Sequence, residues 1–241
     1  VRLIVKLSKL AILPVGMAML MTAGLSQAIE VFPIVKEIKQ ETPRDNFITV
    51  KSMYRAVDSV DVNKSENKSY EFVTLELFHI TNPGDTKENK VKELGAQDPT
   101  LVFSPTKLII PFGEERKVRI MPLKPVERET VYRLRIRPSY PEQEMDKGKV
   151  RFAIGYDVLL RYLPEGKRNQ GLAVTCSSNQ WTLTATGNVR SEMRDLVIDG
   201  RKDKTIFNVY PEHSRTLAVH NNLAFNMDGK LYTYEKCQLK E

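Results

Sequence analysis

Between Lys149 and Pro164 the chain reads KVRFAIGYDVLLRYLP and is apolar at every second position. Successive side chains of a strand point to opposite sides, so Val150, Phe152, Ile154, Tyr156, Val158 and Leu160 share one face. The other face carries Arg151, Ala153, Gly155, Asp157, Leu159 and Arg161. Strands ordinarily run to about five or six residues. A run this long predicts a segment that serves something besides its own domain's core.

The same period of two recurs upstream and predicts strands over 30–38, 46–54, 70–81, 100–103, 107–110, 116–121 and 130–137. Breakers separate them: Thr42-Pro43, Asn82-Pro-Gly84, Ser104-Pro105, Pro111-Phe-Gly113, Pro122 to Pro125, and Pro138 to Gly148. Short strands at this spacing, with almost no helical periodicity, predict an all-β fold and an immunoglobulin-like β-sandwich for residues 29–163. Leu163-Pro-Glu-Gly166 interrupts the pattern and reads as a linker. Shorter strands follow over 171–176, 180–186, 195–198, 205–210, 216–220 and 230–237, which predicts a second, smaller β-sandwich over 164–241.

The first 28 residues follow a different rule. Arg2, Lys6 and Lys9 precede an apolar stretch from Leu10 to Ala23, and Leu25-Ser-Gln-Ala28 places small residues where a signal peptidase cuts. Residues 1–28 are thus expected to be a signal peptide, with the mature chain starting at Ile29. The stretch is short and broken by Pro14 and Gly16, which argues against a membrane anchor. Removal leaves 213 residues, a length that suits two domains, and lowers the formal net charge from +7 to +4. That mild excess favours anionic partners without the clustered basic face of a nucleic-acid binder.

Export would carry Cys176 and Cys237 into an oxidising compartment, where they could pair. The bridge would close a loop of roughly 60 residues, worth about 4 kcal/mol in the chain-entropy treatment; two buried free thiols are the alternative. Signatures of catalysis are missing: there is no nucleophile elbow, HExxH, CxxC or glycine-rich phosphate loop. His79, His213 and His220 are scattered and do not make up the three or four ligands of a zinc site, so neither metal nor cofactor is expected. Asp61-Val-Asn-Lys-Ser65 opens like a calcium loop, but Glu66 and Phe72 stand where that loop needs Gly and Glu. Arg133, Arg135 and Arg137 alternate with Leu134 and Ile136 and predict either a solvated outer face or a positively lined surface.

Several segments, in their order and spacing, resemble the periplasmic pilus-assembly chaperones of the chaperone-usher pathway, in the branch that serves colonisation-factor fimbriae. They are Val31-Phe-Pro-Ile-Val-Lys36, Asn82-Pro-Gly84, Leu101-Val-Phe-Ser-Pro-Thr-Lys-Leu-Ile-Ile-Pro111, Glu129-Thr-Val-Tyr-Arg133, Leu159-Leu-Arg-Tyr-Leu-Pro164 and Thr186-Gly-Asn-Val189. The resemblance implies two immunoglobulin-like domains in a boomerang and a non-enzymatic role. It also implies that Val150, Phe152 and Ile154 are the donor residues lent to the open groove of a pilin subunit. Strand addition of this kind takes affinity from main-chain hydrogen bonds and specificity from alternate side chains.

The family further implies two basic residues that hold the client pilin's C-terminal carboxylate. Lys36 matches the first. Leu159 occupies the usual second position, and Arg161, two residues on, is the candidate to replace it. Arg135 stands where relatives carry Asn, and the cysteines are placed unlike the close pair of other members. The expectation is a periplasmic chaperone that receives fimbrial subunits and passes them to an outer-membrane usher, with self-association when no client is present. A fimbrial structural or adhesive subunit is the alternative, and a secreted hydrolase the third reading.

Overall fold

The computed structural model describes residues 29–53, 70–139 and 153–240. Strands β1 to β5 are Glu30–Phe32, Val35–Ile38, Phe47–Lys51, Tyr70–Ile80 and Lys90–Lys92. Strands β6 to β10 are Leu101–Ser104, Lys107–Pro111, Glu115–Pro122, Thr130–Ser139 and Tyr156–Tyr162. One sheet runs β1-β3-β8-β6, and the second runs β2-β10-β9-β4. The far side of β4 is shared: β7 pairs with Tyr70 to Thr74, and β5 with Phe78 to Ile80.

Alternation accounts for the packing. In β4, Val73, Leu75 and Leu77 turn inward, and in β9 Tyr132, Leu134 and Ile136 do the same. They meet Ile48, Val50, Val118 and Ile120 of the facing sheet in one apolar core. Truncating any such fully buried aliphatic side chain to Ala costs about 2–5 kcal/mol.

Downstream of Pro164, β11 to β15 are Leu172–Ser177, Gln180–Ala185, Ser191–Ile198, Arg201–Asp203 and Phe207–Val209, and β16 to β19 are Ser214–Leu217, Asn222–Met227, Lys230–Glu235 and Gln238–Lys240. They form a sheet β11-β12-β16 and a sheet β14-β13-β17-β18-β19, with β15 added to β13. Their core gathers around Trp181, Leu183, Met193, Leu223 and Phe225. No strand pairing joins residues before 163 to residues after 164 among the described residues. The chain is therefore all-β and built of two sandwiches.

The sequence reading differs from this architecture in three places. The strand expected over 30–38 is two strands in different sheets, because the chain crosses over between Phe32 and Val35, where the Phe32–Pro33 peptide is cis. Strands β5, β14, β17 and β19 have no counterpart among the expected strands. The clearest omission is β17: Leu223, Phe225 and Met227 alternate and are buried, but Asn221-Asn222 reads locally as a turn. Finally, β10 begins at Tyr156, and Ala153, Ile154 and Gly155 precede it outside any strand.

Candidate functional site

The start of β10 is paired on one side only. Tyr156 to Tyr162 pair antiparallel with β9 over their whole length, whereas the parallel pairing with β2 begins at Leu159 opposite Val35. Leu159 N–H donates to the Ile34 carbonyl at 2.9 Å. Upstream of that bond, the side of β10 turned away from β9 has no strand against it among the described residues. Unpaired strand edges of this kind accept another strand.

Apolar side chains rim the opening. Ile154 is 46% exposed, Ile34 61% and Phe32 76%. Of the expected donor residues, Ile154 is thus exposed at the edge, while Val150 and Phe152 lie outside the described residues. Further along, Val158 and Leu160 are buried and Tyr156 packs on them, so that part of the strand belongs to its own core. Gly155 marks the divide. A Cβ there would lie 3.0 Å from the Ile136 carbonyl oxygen and 3.3 Å from the Arg137 side chain, so a larger residue could close onto β9 only if these neighbours gave way.

The two basic residues expected to act together are placed apart. The register sets Lys36 beside Leu160 and Arg161 beside Glu37. Residues paired in register point to one side and their neighbours in sequence to the other, so Lys36 and Arg161 lie on opposite faces. The Lys36 ammonium sits 5.7 Å from the centroid of the Phe47 ring. Arg161 instead gives its fork to Glu129, Nε donating to Oε1 at 2.6 Å and Nη2 to Oε2 at 2.9 Å, and its Nη1 donates to Glu37 at 2.9 Å.

Glu129 is the centre of this contact. Its side chain is fully buried, and its Oε2 also accepts the Arg190 backbone N–H at 2.8 Å. The Glu129 N–H donates to the Asn188 carbonyl at 2.8 Å. One carboxylate therefore ties β9, β10 and the second sandwich together. Burial works against the charge of Arg161, but the hydrogen bonds and attraction of Glu129 outweigh it and hold the guanidinium pKa above its ordinary value.

Beside this contact lies an open cleft of about 610 Å³, lined by Glu37, Arg161, Arg168, Arg190, Glu192 and Arg194 among others. The cations lining it are paired: Arg190 and Arg194 both reach Glu192, and Arg168 reaches Glu41. A second junction involves the Asn82-Pro-Gly84 turn. Gly84 has φ +93°, and a Cβ there would meet the Asn208 carbonyl at 3.1 Å, so both the conformation and the close approach call for glycine.

The remaining sequence candidates resolve as follows. Arg133 is held by Glu88 and Arg135 by Asp157, whereas Arg137 is exposed. Cys176 and Cys237 form a disulfide that ties β11 to the β18–β19 turn. His213 bridges the sandwiches, its ring nitrogens lying 2.9 Å from the Pro211 carbonyl and 3.2 Å from that of Thr81. Asp61 to Ser69 of the calcium-like loop lie outside the described residues. Among the described residues no group of three His, Cys, Asp or Glu side chains is placed to hold a metal.

Two sandwiches joined at Pro164, with the second seated on β9 and β10 of the first, form the fold of the pilus chaperones. The class 5 fimbriae chaperone CfaA superposes with a TM-score of 0.66 at 23% identity, covering 88% of this chain and 99% of that one. The Escherichia coli chaperone DraB gives 0.53 at 12% identity, covering 89% and 97%. The periplasmic chaperone SfaE gives 0.51 at 16%, again covering 89% and 97%. In sequence, the chain is 29% identical over 179 residues to a CFA/I fimbrial subunit of Escherichia coli, which spans 67% of this chain and 74% of that protein. It is 29% identical over 138 residues to a CS1 fimbrial subunit of the same species, spanning 54% and 58%. No protein-family model matches the chain.

Proposed function

We propose that the protein is a non-enzymatic periplasmic chaperone that binds fimbrial subunits by donor-strand complementation and delivers them to an outer-membrane usher. The observation that carries this reading is the half-open start of β10, with Ile154 exposed beside it, on a sandwich whose own core is closed. The segment Val150 to Ile154 is the proposed donor. Each donor side chain buried in a client groove contributes about 1.5–3 kcal/mol before ordering costs. Replacing both Phe152 and Ile154 by Asp is expected to abolish co-purification with the cognate pilin while the variant still folds; capture equal to that of the unaltered chain rejects donor-strand binding.

Lys36 is the proposed contact for the client's terminal carboxylate. Arg161 would have to give up Glu129 or Glu37 to share that task, and its present geometry suits it to holding the two sandwiches in register. Lys36→Ala should weaken capture of a wild-type pilin by about tenfold, the order expected of one charged hydrogen bond. Capture of a pilin whose C-terminal carboxylate is amidated should not change. Equal weakening of both clients excludes carboxylate anchoring by Lys36.

The names of the two sequence relatives favour a second reading, a fimbrial structural component. A pilin waiting for a donor strand exposes its core along a groove, whereas the inward-facing side chains of β3, β4, β8 and β9 named above are at most 3% exposed. Fractionation decides between the two: a soluble periplasmic complex with a pilin supports the chaperone, and surface polymer supports the structural component. Without a client, the open edge of β10 is expected to favour self-association.

A further inference from the structure

The outer face of the sheet β1-β3-β8-β6 carries a charge pattern that strand addition at β10 does not use. Register divides it into rows. Glu30, Lys51 and Glu115 lie side by side at one end; Phe32, Thr49 and Lys117 form the next row; Phe47, Arg119 and Ser104 form the third. The acids on these rows are thus confined to one end, where Glu30 reaches Lys51 at 3.8 Å.

The other end is cationic. Lys117 Nζ stands 4.3 Å from the Phe47 centroid, and Lys36 approaches the same ring at 5.7 Å from the sheet edge. Both distances lie within the range in which a cation is attracted to a ring face. Arg119 is the cross-strand partner of Phe47, which brings the two side chains close on one face. Lys36, Lys117 and Arg119 form no ion pair among the described residues, and neither does Asp45 in the turn before Phe47. The neighbouring Phe32 is 76% exposed.

We propose that the Lys117 and Arg119 end of this sheet is a docking platform for an acidic, extended segment of a protein partner; it adjoins Lys36, the residue proposed above to meet the client's carboxylate. Charge complementarity supplies the argument: Lys36 and Lys117 approach one aromatic ring, Arg119 stands opposite it in register, and none of the three meets a carboxylate among the described residues. Spacing supplies the second part. Lys117 and Arg119 are two residues apart on one strand, about 7 Å, and an extended segment with carboxylates at alternate residues repeats at the same interval.

The test uses the mature chain, isotopically labelled, and a short synthetic peptide with Glu at alternate positions separated by Val and Thr. At low ionic strength, where surface charges are least screened, amide shifts are expected to cluster at Phe47, Thr49, Lys117 and Arg119. The double variant K117E and R119E should bind at least about tenfold more weakly. K117Q with R119Q provides a milder pair should charge reversal disturb folding. A control with K202E and K204E on the second sandwich should bind as the unaltered chain does. Shifts scattered over all lysines, equal loss in the control, or tighter binding of a single-stranded DNA oligomer than of the peptide would overturn the proposal. These variants leave Lys36, Phe152 and Ile154 intact, so failure of client capture and failure of the platform give separate results.

Discussion

The two outward faces of the first sandwich carry the same kinds of residue and behave differently. On the face of β9 and β10, Arg133 is held by Glu88, Arg135 by Asp157 and Arg161 by Glu129 and Glu37, while Lys92 on neighbouring β5 is held by Glu76. On the face of β3 and β8, Lys51 is held by Glu30 at one end, but at the other end Lys117 and Arg119 meet no carboxylate among the described residues. Alternation of charged and aliphatic residues is common to both. What separates them is whether an acid lies within reach: Asp157 and Glu37 are register partners of Arg135 and Arg161, whereas Glu88 and Glu129 come from the segments just before β5 and β9. The second sandwich packs on this face through Tyr210, which meets Ile80, Val131 and Leu159. A compensated face can be buried in a domain contact, whereas an uncompensated one must remain in water or meet an acidic partner.

The strongest way to break this contrast is to remove the buried acid. Glu129→Ala leaves Arg161 without its main partner in a place where water is largely excluded, and urea unfolding should register a loss of about 3–5 kcal/mol. Replacing both residues, as Glu129→Leu with Arg161→Met, should recover most of that loss, because no unpaired charge then remains. If the single change costs less than about 1 kcal/mol, the value of an exposed pair, the contact is not buried in solution.

A second test concerns acid. Hydrogen bonds from Arg135 outweigh the effect of burial on Asp157 and, with those from Lys90, hold its carboxyl well below the usual range. A group whose folded pKa is depressed stabilises the fold above its unfolded pKa, about 3.9, and that contribution fades as pH falls through the folded value. Unfolding midpoints measured from about pH 6 down to pH 3 should therefore drop less steeply for Asp157→Asn than for the unaltered chain. Parallel slopes would mean that the pair does not form.

The smallest effect is expected on the other face. Lys117→Gln removes a cation that has no acid to lose, so its stability change should stay within about 0.5 kcal/mol by urea unfolding. A loss well above about 1 kcal/mol, the value of an exposed cation–ring contact such as that with Phe47, would reveal an ionic partner for Lys117 and dissolve the contrast between the faces.

Much of the first sandwich could be read from period-two runs bounded by Pro and Gly, since strand faces follow directly from alternation. At the candidate site, Ile154 stands exposed at the edge, while Val158 and Leu160 lie in the host core with Tyr156 packed against it. Glu129 was visible only as part of the motif Glu129-Thr-Val-Tyr-Arg133. Its burial and its bond to the Arg190 backbone, 61 residues away, carried no local signal. The distant partners of Arg161 were equally hidden, because Glu37 lies 124 residues from it. The strand β17 was missed for a different reason, as flanking asparagines masked a valid alternation.

By itself, the sequence determined which side chains of each strand turn inward, because backbone pleating ties that choice to position along the chain. It also determined turns such as that at Gly84, whose left-handed backbone favours glycine, whereas β9 runs on through Pro138 to Ser139. Tertiary structure alone decided which outward charges meet. Ion pairing depends on approach within a few ångströms across strands, and that distance is set by register and sheet order, which no single segment contains. Arg161 and Lys117 look alike in the sequence, and only the pairing of their strands makes one a clasp between domains and leaves the other open to a partner.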